Sequence, residues 1–431
     1  MISRSLYIIS LSVLMSCRQT DAQSLPVQVS IRQEGNSYEL LVDGAPYTIK
    51  GAGLEFGSIA ELAEHGGNTF RTWRTDNGVR SAIDILDEAH SYGIKVVMGI
   101  DIARERHGFD YNDPVVVQQQ LNDVRQQVIA LKDHPALLIW GIGNELNLRA
   151  TNPNVWNAVN DISRMIHEVD PNHLTTTSLA GISADLVKDI RERAPDLDLL
   201  SIQMYADIIN LPQRIRESGW TGPYLVTEWG ATGHWEVQET SWGAPVENNS
   251  TVKANYILER YQTGIVPELD RCLGAFIFLW GQKQERTPTW YGLYMEDGKE
   301  TAAIDAMHFI WNNTWPENTS PAIDSVRLNG MAPGSDIFLH PGDTAEAFSA
   351  IRDADGDQLQ FQWIIMPEST DLGDGGDFET TPPVITSWIS TPDQATTQLV
   401  VPNQPGAYRL FLYAFDGHDH AAHANIPFYI K

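Results

Sequence analysis

Two stretches of this chain end in a carboxylate where an apolar run stops. Leu137 to Asn147 reads LLIWGIGNELN, so Asn144 and Glu145 follow a strand-like run with no turn residue between them. Tyr224 to Gly230 reads YLVTEWG and delivers Glu228 in the same way. A carboxylate at the end of a buried strand is held by a rigid element. Two of them facing one cleft are what glycosidic bond cleavage needs, one to attack the anomeric carbon and one to give the leaving oxygen a proton.

Elements able to position such a pair can be read on either side of it. Eight short apolar runs begin at Tyr47, Thr69, Lys95, Leu137, Leu174, Leu199, Tyr224 and Gly274, the last ending at Trp280. Helical periodicity separates them, most clearly in Val79 to Ser91, Pro114 to Lys132, Val155 to Val169 and Val252 to Ile265. Eight strand–helix units predict an α/β fold, a (β/α)8 TIM barrel over residues 47–315, close to the usual barrel size of about 250 residues. Catalytic residues of such barrels sit at the carboxyl ends of the strands, where Glu145 (strand four) and Glu228 (strand seven) fall.

Before the barrel, residues 24–46 alternate around Glu34-Gly35-Asn36 and predict a hairpin that caps it as a lid or plug. After a helix over Thr301 to Trp311, residues 316–321 (PENTSP) read as a linker. From 322 to 431 the period changes to two. Trp363 and Tyr408 stand in the clearest strands, and the segment predicts an all-β immunoglobulin-like sandwich whose chief role is to pack on the barrel and space it from an anchor.

The 56 acidic against 29 basic side chains leave a formal charge of -27, which argues against nucleic acid or an anionic lipid surface as partner. Arg4 and the apolar run Leu6 to Met15 have the pattern of a signal peptide over residues 1–22, too short to span a bilayer. The run ends Leu14-Met15-Ser16-Cys17, which resembles a bacterial lipobox; ordinary cleavage near Ala22 is the alternative. The expectation is an exported protein, touching a membrane only through a lipid on Cys17. Cys272 is then the single remaining thiol, so no disulfide framework or cysteine metal site arises.

Glu145 within GNE and Glu228 within TEWG resemble the acid/base and nucleophile of the large clan of retaining glycosidases that carries them after strands four and seven. Asn144 beside the acid, Arg71 in NTFRTW at the end of strand two, Tyr205 in SIQMY after strand six and Trp280 at the end of strand eight agree with that likeness. It implies Glu228 as nucleophile, with Arg71 and Tyr205 hydrogen-bonded to it, and Glu145 as acid and then base. Asn144 would grip the sugar 2-hydroxyl and Trp280 would offer a flat platform to the ring. The strand-eight segment LWGQKQERTPTWYGLY and the domain order resemble glycoside hydrolase family 158, which implies an endo-acting β-1,3-glucanase, with β-glucan as ligand, no cofactor and no metal. A monomer is expected.

Other residues have two readings. Trp73, Trp229, Trp235, Trp242 and Trp290 near strand ends could touch sugar or belong to the core, and His107 and His234 could bind hydroxyls from catalytic-side loops. His134 and His173 read as structural. Asp353, Asp355 and Asp357 resemble a calcium loop without the distant glutamate, so a solvated turn is expected, and His418, His420 and His423 lie in a hairpin turn. Rival functions are a transglycosylase, another endo-glycosidase such as a mannanase, and a glycan-binding lipoprotein without catalysis; the intact carboxylate pair argues against the last.

Overall fold

The computed structural model describes residues 26–431, so the signal segment and Cys17 lie outside the described residues. Eight parallel strands pair in chain order: Ile49–Gly53, Thr69–Arg71, Lys95–Ile100, Leu137–Asn144, Leu174–Ala180, Leu200–Gln203, Tyr224–Gly230 and Cys272–Phe278. The eighth pairs back onto the first to close the barrel. Helices on the outside cover one strand surface while side chains fill the inside, so the strands are buried on both faces and several read as apolar runs. Strand five, LTTTSLA, instead buries hydroxyls, with Thr175 bonded to Asp198 and Thr176 to Ser201. All eight residues of Leu137–Asn144 are buried.

Strand eight stops at Phe278, short of Trp280: the Leu279 amide turns to the Tyr291 carbonyl, while the Trp280 amide still reaches the Gly53 carbonyl at the end of strand one. The helix expected from Val79 starts instead at Ala82. The Asn77 side chain takes the amides of Val79 and Arg80, and Ser81 caps the helix through the Asp84 amide. Pro114–Leu131 opens on Asp113, which accepts from the Val115 amide, with proline in the first turn where its missing N–H is harmless.

The N-terminal hairpin (Val29–Glu34 with Ser37–Val42) plugs the amino-terminal face. Its Val27, Val29 and Leu40 pack with Val97, Leu138, Leu199, Leu225 and Phe276. That leaves the carboxyl ends of the strands, where Glu145 and Glu228 emerge, on the open face. Among the described residues no helix is long and apolar enough to cross a membrane.

The C-terminal segment is a two-sheet sandwich. Ala322–Leu328, Thr344–Arg352 and Thr396–Val400 form one sheet; Phe338–Leu339, Ala421–Ile430, Gly406–Phe415 and Gln360–Pro367 form the other, antiparallel but for its two-residue edge strand. Trp363 fills the core and donates to the Gln394 carbonyl, and the Tyr408 hydroxyl donates to the Gln404 carbonyl.

The seam between sandwich and barrel is polar and buried. Glu247 accepts from Lys253 (2.5 Å), Thr287 (2.6 Å), Thr289 (2.9 Å) and, from the sandwich, Asn425 (2.5 Å). Arg409 of the sandwich bonds Asn425, Glu368 and the Pro245 carbonyl. Burial opposes both charges of the Glu247–Lys253 pair. On the lysine it prevails and lowers the pKa, whereas on Glu247 the opposing pull of Lys253, His423 and the hydroxyl donors brings the carboxyl down to about 2.

Lys253→Met should therefore leave a buried carboxylate without its counter-charge and lower stability by about 3–5 kcal/mol. The measure is the midpoint of chemical denaturation, and an unchanged midpoint would refute it. Because the Glu247 pKa is depressed below its ordinary 4.5, its contribution is complete above that pH and is lost as pH falls toward about 2.

Candidate active site

Glu228, near the end of strand seven, is buried and receives four hydrogen bonds. Arg71 (3.2 Å), the Trp73 indole (2.9 Å) and Gln203 (3.0 Å) donate to its Oε1, and the Tyr205 hydroxyl (2.8 Å) donates to Oε2. These donors come from the ends of strands two and six and the residues just beyond. The sheet order therefore brings them around one carboxylate. Burial, and then the negative neighbour Glu228, push the Tyr205 phenol well above its usual range, so it stays protonated and able to donate. Four donors aimed at one carboxylate fix where its oxygens point, the positioning that attack on a carbon requires.

Glu145 follows strand four in a left-handed conformation (φ 51°), its amide donating to Ser178 O. Such a backbone costs a non-glycine residue of order 1–3 kcal/mol, and strain of this kind gathers at functional sites. Burial first, and then the like charge of Glu228, push the Glu145 carboxyl up to about 8, against the opposing pull of Arg106 and Arg71. At neutral pH it holds its proton. Both glutamates line one cavity of about 820 Å³. Two carboxyls in one site whose surroundings treat them differently have the division of labour of an acid and a nucleophile.

Asn144 also lines the cavity. Its Oδ1 accepts from Arg71 (2.8 Å) and Gln203 (2.7 Å), which leaves the amide nitrogen as the group it can offer a ligand. Trp235 stands on the cleft rim, 59% exposed, edge-on to Tyr205 and to His234. His234 lines the wall, and burial, with Arg286, pushes its imidazole down to about 4, so the ring is neutral at ordinary pH.

Other expected contacts are placed differently. Trp280 is 0% exposed, packed against His65, Tyr294 and Trp311, so it offers no platform; Phe278 and Leu279 of the same segment face the cavity. Trp229 is also fully buried, against Tyr261, because side chains alternate along a strand and Glu228 takes the inward position. Trp290 is buried beneath the cleft, its indole donating to Thr232 O, where it supports the floor. Trp73 lines the cavity, but its indole N–H is committed to Glu228. His107 lies 3.1 Å from Asp377 of the sandwich, and Trp242 packs on Phe338 and Tyr429, also of the sandwich.

Three contributors went unread in the sequence. Gln203 had the same signal as Asn144, a polar residue closing a buried strand. Glu285 lines the cavity, its pKa raised by burial against the pull of Lys283 at 2.9 Å. Asp374 to Asp377 of the sandwich also line it, so that domain is more than a spacer. Candidate metal clusters lie elsewhere: Glu300, Asp305 and His420, and Asp353, Asp357 and Asp416. The Asp353 Oδ1 accepts the amides of Asp355, Gly356 and Asp357, which is a local turn.

Comparison with known proteins bears on this barrel. Residues 79–263, which carry both glutamates, match the family described as glycosyl hydrolases family 2, TIM barrel domain. Among solved structures, the fold is similar to a calcium-binding mutant of Bacteroides uniformis beta-glucuronidase 2, at 13% identity and TM-score 0.52, covering 94% of this chain and 48% of that one. It is also similar to a beta-glucuronidase from Ruminococcus gnavus, at 13% identity and TM-score 0.50, covering 66% of this chain and 53% of the other. The chain thus spans about half the length of these structures, and the likeness is one of fold. No curated protein matches its sequence. The barrel is of the glycoside hydrolase type.

Proposed function

We propose that this chain is a retaining glycoside hydrolase that cleaves β-1,3-glucan internally by double displacement. The observation that carries the mechanism is the contrast within one cavity, Glu228 held by four donors and Glu145 holding its proton. Glu228 attacks the anomeric carbon while Glu145 gives its proton to the departing oxygen. Once Glu228 is esterified its charge is gone, and with it part of what raised the Glu145 pKa. The glutamate can then act as base toward the incoming water. Asn144 is placed for the 2-hydroxyl, a contact that tightens as positive charge develops on the ring.

The substrate rests on the sequence likeness to family 158 and on the exposed Trp235 and polar side chains along the rim. The family 2 match of the barrel is compatible with the mechanism and leaves the substrate open. The test is a time course on laminarin, curdlan, mixed-linkage glucan, cellulose, mannan and an aryl β-glucuronide. A ladder of oligosaccharides from laminarin, appearing before glucose and with the anomeric configuration retained by NMR, is expected. Preferential attack on mannan or the glucuronide, or glucose as the only early product, would overturn the assignment.

A further inference from the structure

The loop between the sandwich strands Gln360–Pro367 and Thr396–Val400 reaches across the domain seam to the mouth of the barrel. It is tied there at several points. Arg149 pairs with Asp374 (2.6 Å), His107 with Asp377 (3.1 Å), and Lys283 donates to the Gly376 carbonyl (2.6 Å). Arg286 gives both its amide and its guanidinium to Glu379, each at 2.5 Å, and Glu379 is 2% exposed. Arg149 follows strand four, His107 follows strand three, and Lys283 and Arg286 follow strand eight, so the loop straps three barrel loops together.

Its contact with the site is one-sided. A β-carbon placed on Gly375 would stand 2.7 Å from Leu148 Cδ2 and 3.0 Å from both Arg106 Nη2 and Glu145 Oε2. None of the four donors to Glu228 comes from the loop. Glycine is required at 375 on two counts, this close approach and a positive φ of 57°.

We propose that the sandwich loop Asp371–Glu379 forms the wall of the first leaving-group subsite and so selects the sugar that departs. This rests on the reading of Glu145 as proton donor. A proton donor must stand beside the scissile oxygen, and whatever touches it on the side away from the nucleophile meets the leaving fragment. The anomeric sugar meets Asn144 and Glu228, whose side-chain hydrogen-bond partners all come from the barrel. The small domain thereby acts as part of the specificity apparatus, held in register by the Arg286–Glu379 latch. A sugar acceptor in the reverse sense would meet the same wall.

The test compares leaving groups while the glycone is kept constant. In the full-length protein, Gly373–Phe378 is replaced by two glycines, and separately Gly375→Ala is made. Each is assayed on an aryl β-glycoside and on an oligosaccharide sharing its glycone, with the melting profile of both domains as the check on folding. Expected is a fall of at least about tenfold in the ratio of kcat/KM for oligosaccharide over aryl glycoside. A matching change in the yield of sugar-acceptor transfer products relative to hydrolysis should accompany it. A parallel fall on both substrates, or no change on either, would overturn the proposal. Gly375→Ala is strained by its positive φ and presses on Glu145 Oε2, so the pH profile is read beside the ratio. The deletion variant should lower the ratio while keeping the basic limb of kcat/KM, and loss of that limb in the deletion variant would assign the effect to a disturbed proton donor and overturn the proposal. If the wild-type protein hydrolyses neither substrate, the glycosidase reading itself fails and this proposal with it.

Discussion

Glu228→Gln is expected to lower turnover by about 10⁴-fold or more, on oligosaccharides and on aryl glycosides with good leaving groups alike. A neutral amide is too weak a nucleophile to replace the carboxylate and cannot form the glycosyl ester, so easing the departure of the leaving group brings no recovery. Its effect on binding should be much smaller, since the sugar is also held by Asn144 and the cleft walls. The surrounding donors make the change specific. Three of them converge on Oε1, and an amide oxygen turned toward them can keep those bonds, leaving the NH₂ opposite the Tyr205 hydroxyl, whose oxygen can accept. The substitution should therefore remove chemistry more than structure. A 2-fluoro glycoside that stalls deglycosylation should add one glycosyl mass to the peptide carrying Glu228 in the wild type and none in the variant. Labelling on another residue, or recovery of the variant with an activated substrate, would show that Glu228 is not the nucleophile.

How far the residues alone could be read differs by element, for physical reasons. The barrel strands were legible because burial on both faces makes most of them apolar or β-branched runs, while capping side chains mark where helices start. Boundaries slipped where another polar group intervened: the Asn77 side chain delays the helix to Ala82, and the Tyr291 carbonyl draws the Leu279 amide out of the last strand. The glutamates and Arg71 were found because strand ends deliver them. Trp229 could have been excluded by the same alternation that turns Glu228 inward. Trp280 could not, because it lies past the ladder, where period two no longer holds. The loop at Asp371–Glu379 was beyond reach. Its contact with Glu145 joins residues 230 positions apart, and nothing local in a run of Gly and Asp says which surface it will meet. A solvated turn and a cleft wall share that composition.

Glu145→Gln should behave differently from Glu228→Gln, and the difference identifies its role. On oligosaccharides, whose leaving sugar needs a proton, kcat/KM should fall about 10²–10⁴-fold. On an aryl glycoside with an acidic phenol the first step needs little help and should be largely spared. Deglycosylation still lacks its base, so the ester on Glu228 should accumulate and a burst of phenol should precede slow turnover. Azide, which needs no base to attack, should restore the rate and yield a glycosyl azide. The pH profile gives an independent check. The acid must be protonated, and burial with the neighbouring charge of Glu228 pushes it up to about 8, so wild-type kcat/KM on oligosaccharides should decline above that pH. The decline should vanish in Glu145→Gln. Stability follows with a definite sign. The folded protein keeps this proton between the ordinary value of 4.5 and about 8 while the unfolded chain releases it, so the group opposes folding increasingly across that window. The glutamine variant should therefore gain on the wild type in denaturation midpoint as pH rises from 5 to 8, and hold a constant advantage beyond. A basic limb that persists in the variant, together with equal loss on both substrate classes, would assign the proton to another group; Glu285, a further carboxyl lining the same cavity, would be the next to mutate.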